Sequence, residues 1–193
     1  MARKVGKDLL LAFLYSEGKT SLCNEAIWGR TRIEKMMFIF EKELAKGFFQ
    51  DKDVLLPEFI PYLYGPYSIE VLDDLNFFID MDFVEEIETS VPVQDEVTRI
   101  QNYAEWEDSD LWEDGSEVES NNKYEISYKL TERGLKYVEE KIWAELTDNQ
   151  KSVIIRLKTQ VNNMLLDDLL SYVYRKYPEY AKESKIKDRY LTE

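Results

Sequence analysis

The sequence predicts a mainly helical α+β fold. Apolar residues recur at helical spacing between Ile33 and Leu44, which is typical of an amphipathic helix packed on a core. Two β-rich runs, residues 83–91 and 124–130, have the composition and alternation of paired strands. Further stretches with helical periodicity follow the second run. Helices should therefore form most of the molecule and a small sheet the rest.

The predicted elements follow one another without an internal repeat. The helix starts are marked by capping residues, and the ends by glycine, proline or acidic turns. In the first half of the chain we expect a helix over 7–15, a helix from about 30 that ends near Gly47, an extended segment over 59–64, a turn at Gly65–Pro66 and a helix from Ser68 to about 80–82. Strands are expected over 83–91 and 124–130. Three helices should follow, over 131–146, from 148 or 149, and from 165 to near Pro178, and then an irregular tail from Ile186.

This order predicts a winged helix-turn-helix-like core over residues 1–146, with the two strands as a small β-wing. The helix that follows Ser68 would then hold the position of the recognition helix. Residues 92–122 would form an acidic insertion in the wing. Residues 147–193 would add a C-terminal helical extension packed on the core.

The charge of the chain is concentrated in one third of it. Residues 57–122 contain nineteen acidic residues and one basic residue, Arg99, whereas each flank carries a net charge of +2 and the whole chain −14. Proteins that bind DNA neutralise phosphates with lysine and arginine. The predicted recognition helix has the opposite sign, so nucleic acid is an unfavourable partner and a basic protein a favourable one.

The residue inventory argues against catalysis. There is no histidine, which removes the usual general base near neutral pH and the commonest transition-metal ligand. A single cysteine, Cys23, cannot form an internal disulfide or a Cys-x-x-Cys zinc site, and it fits a reducing compartment. No apolar run approaches the about 20 residues of a membrane span. We therefore expect a cytoplasmic, non-enzymatic protein without a cofactor, a metal or a membrane contact.

The segment Tyr64-Gly65-Pro66-Tyr67-Ser68 is the most distinctive short motif. Its plain interpretation is structural, because glycine frees φ, proline fixes it and serine caps the next helix. The paired tyrosines leave a second interpretation open, since tyrosine is frequent at binding surfaces. The candidate partner-binding residues are Tyr64, Gly65, Pro66, Tyr67, Ser68, Glu70, Asp73 and Asp74.

Three cations at the start of the second helix form another candidate. Arg30, Arg32 and Lys35 lie near its positive end, where cations are slightly unfavourable. Their plain interpretation is solvated surface charge. The alternative is a contact with an external anion, either a carboxylate of a partner or a phosphate.

The acidic insertion also allows two interpretations. Residues 105–119 contain eight acids and no base, with Trp106 and Trp112 among them. Its length and charge favour a solvated spacer. The alternative is a docking segment in which the tryptophans anchor a partner and the acids steer it. A calcium loop starting at Asp108 fails, because Glu113 stands where the loop requires glycine.

Several of these features together resemble a known family. They are the run from Gly29 to Glu43, the Tyr64–Ser68 motif with the helix after it, and Leu130-Thr131-Glu132-Arg133-Gly134. In this order the chain resembles the Panacea (SocA-like) antitoxin and phage-associated proteins over roughly residues 7–142. The resemblance implies a winged-helix domain that acts by binding, as an antitoxin or an adaptor, and it implies no enzyme activity. The acidic insertion and the C-terminal helices depart from the family pattern.

The sequence thus favours a protein-binding module of a toxin–antitoxin or phage-defence type system with an acidic binding surface. Two alternatives remain at this stage. One is a DNA-binding transcriptional regulator that uses Arg30, Arg32 and Lys35. The other is an acidic DNA mimic that occupies a nucleic-acid-binding protein. The partner and the oligomeric state are not determined by the sequence.

Overall fold

A computed structural model describes residues 3–49, 54–91 and 123–191. This part of the chain is mainly helical. Its helices are α1 (Gly6–Tyr15), α2 (Arg30–Ile39), α3 (Ala45–Phe48), α4 (Ile69–Asp80), α5 (Glu132–Lys141), α6 (Asp148–Asn163), α7 (Leu166–Lys176) and α8 (Lys187–Leu191). Its strands are β1 (Arg3–Lys4), β2 (Ile27–Trp28), β3 (Val54–Leu55), β4 (Ile60–Tyr62), β5 (Gly65–Tyr67), β6 (Val84–Val91) and β7 (Lys123–Leu130).

The largest sheet of the described region has the strand order β2-β7-β6, with both pairings antiparallel. β6 and β7 pair along their whole length, from Val84 opposite Leu130 to Val91 opposite Lys123. The predicted pairing of the two β-rich runs is therefore confirmed. β4 and β5 form a separate hairpin, and β1 pairs with β3 in parallel.

α1 lies at the centre of the molecule. From Leu9 to Ser16 its side chains are buried on every side, and Leu14 is completely inaccessible. A helix that is apolar all round must be enclosed by other elements. α4, α5, α6 and β7 all pack against it.

The C-terminal helices complete the same core. α6 packs on α1 and α2, and α7 packs on α2. α6 starts with a capping box, in which Thr147 and Gln150 exchange hydrogen bonds between side chain and backbone. α8 packs on α7 and buries Tyr190, so the irregular tail expected from Ile186 is instead a docked helix.

Two local features differ from the sequence predictions. The helix expected from about residue 30 to near Gly47 is present and ends at Phe48, but a five-residue π turn, Phe40–Leu44, which the sequence did not predict, separates α2 from α3. The turn expected at Gly65–Pro66 instead lies at residues 63–64, and both Gly65 and Pro66 belong to β5. By contrast, the predicted capping of α5 by Thr131 is confirmed, since its side chain accepts a hydrogen bond from Gly134 N.

Candidate functional site

The Tyr64–Ser68 motif forms the second half of the β4–β5 hairpin and is largely turned inward. Gly65, Pro66 and Ser68 are buried. The φ of Gly65 is 90°, and a Cβ at this position would lie 2.5 Å from Cε1 of Tyr174 on α7. Glycine is therefore required both by the left-handed backbone and by the close approach of α7.

A buried ion pair on α2 holds the same motif. Nζ of Lys35 lies 3.7 Å from the carboxylate of Glu34 and donates to the carbonyl of Pro66 at 2.8 Å. The other partner, Glu34, accepts a hydrogen bond from the backbone N–H of Ser68 at 3.2 Å. Burial lowers the pKa of Lys35, and the nearby Glu34 opposes this shift. The pair thus satisfies polar backbone groups where the hairpin meets α4.

Ser68 holds the predicted N-cap position of α4 but does not cap it with its side chain. Its Oγ is buried and has no hydrogen-bond partner among the described residues. The first-turn amides therefore lack the predicted serine contact, and Glu34 binds the Ser68 backbone instead.

Arg32 is also an internal residue. It is 7% exposed, and its guanidinium donates to the carbonyls of Val161 and Met164 at the C-terminal end of α6. Carbonyls at this end of a helix carry partial negative charge, which compensates a buried cation. Arg32 and Lys35 both act inside the protein, so we do not retain them as contacts for an external anion.

Arg30 is the most accessible of the three cations, but it too has internal partners. Its Nε donates to the hydroxyl of Tyr128 at 2.9 Å, and its terminal nitrogen lies 3.4 Å from a carboxylate oxygen of Glu86. These contacts link the start of α2 to β6 and β7. The three cations are therefore not assembled into a common anion site.

The outward side of α4 combines apolar and acidic side chains. Ile69 is 56% exposed and Phe77 44%, and the exposed Asp73 and Asp80 lie on the same side at intervals of three or four residues. The preceding β4–β5 hairpin exposes further apolar side chains. The segment before the hairpin is joined to the first turn of α4 by a hydrogen bond from the backbone N–H of Glu58 to the carboxylate of Glu70. We call Ile69, Asp73, Phe77 and Asp80 the α4 surface. The exposed hairpin residues are Ile60 and Tyr62.

Asp74 is partly engaged within the fold. It lies 3.5 Å from Nζ of Lys7, and burial raises its pKa while Lys7 opposes the shift. The same ammonium group lies 4.0 Å from the ring centroid of Phe77. Asp73 is therefore the freer of the two neighbouring aspartates, and it belongs to the α4 surface.

The surroundings of the α4 surface are strongly acidic. Residues 57–91 contain nine acidic residues and no lysine or arginine. The exposed Glu85, Glu86 and Glu88 on β6 belong to this group. Of these, Glu85 pairs with Lys129 and Glu86 with Arg30. Tyr64 and Tyr67 of the motif are half-buried, while Trp106 and Trp112 lie outside the described residues.

Sequence reasoning missed a buried lysine on α6. Lys158 is fully buried and donates to the carbonyls of Leu14 and Ser16 at 3.0 and 2.7 Å, at the C-terminal end of α1. Burial lowers its pKa to about 7. Lys158 lies next to Leu157 and three residues before Val161, which both belong to the apolar stripe of α6. This position beside the stripe was the feature of the sequence from which its burial could have been predicted.

A scan against models of known protein families and a search of curated proteins found no match. The resemblance to Panacea-type proteins therefore stays a prediction. Among the described residues, no group of acidic, histidine or cysteine side chains is arranged to hold a metal ion. None of the described helices has the length and hydropathy needed to cross a membrane.

Proposed function

We propose that this protein is a non-enzymatic binding module with a winged-helix core, and that the α4 surface binds a basic protein partner. The observation that carries the proposal is the juxtaposition of exposed apolar side chains and unneutralised carboxylates along α4. Apolar anchors supply binding free energy, and the charges supply selectivity and speed of association.

The winged-helix part of the proposal is supported by topology. Among the elements before the two long antiparallel strands β6 and β7, a helix (α1), a strand (β2) and two helices (α2 and α4) follow the winged-helix order; α3 and the short strands β3–β5 are inserted between α2 and α4. The short strand β2 pairs with β7, which gives the order β2-β7-β6. If the core is a winged helix, α4 corresponds to its recognition helix and β6–β7 to its wing.

The electrostatics of α4 argue against DNA at this position. A protein that makes about 6–10 phosphate contacts depends on lysine and arginine for its affinity. Residues 57–91 have none. Arg32 and Lys35 are buried and hydrogen-bonded to backbone carbonyls. Lys7, which lies over the ring of Phe77, and Arg133, at the end of α4, are cations near this face. Two cations are far fewer than such a protein uses, and the exposed positions of α4 are mainly acidic or apolar, so a DNA-binding regulator is disfavoured.

The apolar part of the surface separates this proposal from a DNA mimic. A mimic presents carboxylates in place of phosphates and needs little exposed hydrocarbon. Ile69 and Phe77 instead expose about half of their surface next to Asp73. Partly exposed aromatic and aliphatic side chains of this kind are the residues that anchor protein–protein contacts.

We further propose that the biological role is that of an antitoxin or an adaptor in a toxin–antitoxin or phage-defence type system. This part rests on the sequence resemblance alone. The acidic surface is compatible with it, because a basic toxin or a basic adaptor target would be complementary in charge.

Site-specific photo-crosslinking in the native cell tests the proposal. A photoreactive phenylalanine analogue replaces Phe77 on the α4 surface, and the control carries it at Tyr137, an exposed aromatic residue of α5. We expect the label at Phe77, and not the label at Tyr137, to recover a basic protein. Recovery of nucleic acid or an acidic protein, or the same products from both positions, contradicts the proposal.

Charge-matched variants then test the surface with the purified partner. The double variant Asp73→Asn/Asp80→Asn removes two charges from the α4 surface, and Glu139→Gln/Glu140→Gln removes two from exposed positions of α5. We expect the first to weaken binding about tenfold or more and to reduce its salt dependence. The second should bind as the wild type does. Equal affinity of all three proteins would refute a role for α4.

A further inference from the structure

A second candidate site lies where the end of α2, the π turn, α6 and α7 meet. It is a pocket of about 200 Å³. Its floor is apolar and includes Ile39, Leu157 and Val161, while Glu43, Arg156 and Gln160 provide polar groups. A water molecule takes a share of about 30 Å³ in the liquid, so the pocket holds the equivalent of about seven waters. Because covalently bonded atoms lie closer together than separate molecules, a ligand of roughly ten non-hydrogen atoms fits this volume.

The π turn forms one wall of this pocket. In the turn the N–H of Ala45 bonds to the carbonyl of Phe40, five residues earlier, so one additional residue is accommodated. Glu43 and Leu44 from this turn line the pocket. No proline or glycine within residues 40–44 imposes the irregularity. Single π turns inside helices occur frequently at functional sites.

The carboxylate of Glu43 is fixed and neutralised by α7. It lies 2.9 Å from Nζ of Lys176 and accepts hydrogen bonds from the hydroxyls of Tyr172 and Tyr177 at 2.8 and 3.0 Å. Partial burial raises the pKa of Glu43, but these donors outweigh it and the net shift is downward. The carboxylate therefore stays ionised, and the adjacent ammonium group compensates its charge.

Arg156 is left as an uncompensated cation at the pocket. It is exposed, and within the described ranges its guanidinium makes no hydrogen bond or ion pair. Glu43 and Arg156 line the pocket, and Lys176 does not line it but neutralises Glu43, so these three groups carry a net charge of +1 in a protein whose overall charge is −14. A guanidinium binds a carboxylate in a bidentate geometry, which makes an anion with an apolar body the complementary ligand.

We propose that this pocket binds a small apolar carboxylate, with its hydrocarbon part against Ile39, Leu157 and Val161 and its carboxylate on Arg156. The chemistry is shared by a free carboxylic acid and by the C-terminal residue of a peptide. This site is separate from the α4 surface and does not depend on the function proposed for it.

Methyl NMR titration of the full chain tests the proposal. The probes are phenylacetate, which has the required size, and phenylacetamide, its uncharged counterpart; phenethylammonium is the cationic control. We expect phenylacetate to shift the methyl signals of Ile39, Leu157 and Val161 saturably, with a dissociation constant between millimolar and micromolar for a ligand of this size. Equal binding of the amide or the cation overturns the proposal.

Two variants on the same helix locate the carboxylate. Arg156→Gln removes the cation from the pocket, and Lys151→Gln makes the same change in charge at a position of α6 that does not line it. We expect Arg156→Gln to weaken phenylacetate binding about tenfold or more, because a charge-assisted hydrogen bond is lost. Lys151→Gln should leave the affinity unchanged. An unchanged affinity in Arg156→Gln overturns the assignment.

A peptide arm distinguishes the two sources of the ligand. A short glycine–serine peptide ending in leucine is compared with its C-terminal amide. Binding of the free-carboxyl peptide alone identifies a peptide C-terminus as a ligand, whereas binding of phenylacetate without either peptide identifies a free acid. Failure of both phenylacetate and the free-carboxyl peptide overturns the proposal.

Discussion

Gly65 combines two constraints at one position of the backbone. Its φ is 90°, which costs an L-residue about 1–2 kcal/mol, and a Cβ would lie 2.5 Å from Cε1 of Tyr174. Since Tyr174 is completely buried, it cannot move aside without disturbing the core, and overpacking costs about 1–3 kcal/mol. We therefore expect Gly65→Ala to lower the free energy of unfolding by about 2–5 kcal/mol in chemical denaturation.

Gly47 provides the matched control for this substitution. It lies inside α3, and a Cβ there would meet no atom within 4 Å. Alanine is favoured over glycine in a helix by about 1 kcal/mol, so Gly47→Ala should be neutral or stabilising. A similar loss of stability in both variants would show that the contact with α7 is not the cause.

Lys158 makes the stability of the protein depend on pH. Burial lowers its pKa from 10.5 to about 7 in the folded state, so between these values the unfolded chain binds more protons. Stability therefore rises with pH in this window, by up to about 1.4 kcal/mol per pH unit. Lys35, whose pKa is also lowered by burial, adds a contribution of the same sign.

The variant Lys158→Met should reduce this slope by up to about 1.4 kcal/mol per pH unit between pH 7.5 and 9.5, because one titrating group is removed. Unperturbed tyrosines, with a pKa of about 10, ionise in part near the upper limit, but they are common to the wild type and its variants and cancel when the slopes are compared. Lys136→Met, at an exposed position of α5, is the control and should keep the wild-type slope. The measurement is urea denaturation at a series of pH values. An unchanged slope in Lys158→Met would contradict a depressed pKa.

At the scale of the elements, the side chain of Asn24 hydrogen-bonds to the end of β7 in the β2-β7-β6 sheet. Its Nδ2 donates to the carbonyl of Leu130 at 2.9 Å, and its Oδ1 accepts from the N–H of Leu130 at 2.8 Å. The backbone N–H of Asn24 donates to Tyr15 at the end of α1. One amide side chain therefore joins α1 to the end of β7.

Asn24→Asp tests this link. The φ of Asn24 is 57°, which aspartate also tolerates, so the substitution isolates the loss of the Nδ2 donor. A carboxylate oxygen would face the carbonyl of Leu130, and we expect a loss of about 1–3 kcal/mol in stability. Amide exchange at Leu130 should accelerate. Asn76→Asp, at an exposed position of α4, should change stability by less than about 0.5 kcal/mol, and an equal loss there would point to charge alone.

The sequence predicted those elements whose signals are local. β6, β7 and the cap of α5 follow from alternation and from Thr131, and all three are confirmed. The π turn was missed because Phe40 and Leu44 keep the apolar spacing of an ordinary helix. The inward position of Arg32 was missed because its acceptors lie on α6, about 130 residues away along the chain. Tertiary contacts of this range leave no periodic signal.

At the scale of the whole molecule, the α4 surface and the core have different origins. The nine acidic residues of 57–91 lie close together in the sequence, so the negative charge of the α4 surface could be predicted from the sequence. The pocket at the π turn could not, because Glu43, Arg156 and Tyr172 come together only when α2, α6 and α7 pack. The C-terminal helices thus create a site that no local segment contains.

The same packing predicts that residues 147–193 are indispensable for folding. The truncation would uncover the faces of α1 and α2 on which α6 and α7 pack, and each large apolar side chain left exposed there costs about 1.5–3 kcal/mol against a whole stability of about 5–15 kcal/mol. A chain of residues 1–146 should therefore show no cooperative thermal transition by circular dichroism. The side chains that it would lack are Ile154, Leu157, Val161, Leu166, Leu169, Leu170, Val173 and Tyr174.

A full-length variant tests the coupling without truncation. All four tryptophans, at positions 28, 106, 112 and 143, precede residue 147, so their fluorescence reports on the first part of the chain. Val173→Ala perturbs α7 and should cost about 2 kcal/mol. Because one core joins both parts, the tryptophan transition in urea should shift to lower concentration together with the circular dichroism transition. A tryptophan transition that stays at its wild-type midpoint would mean that the C-terminal helices unfold independently.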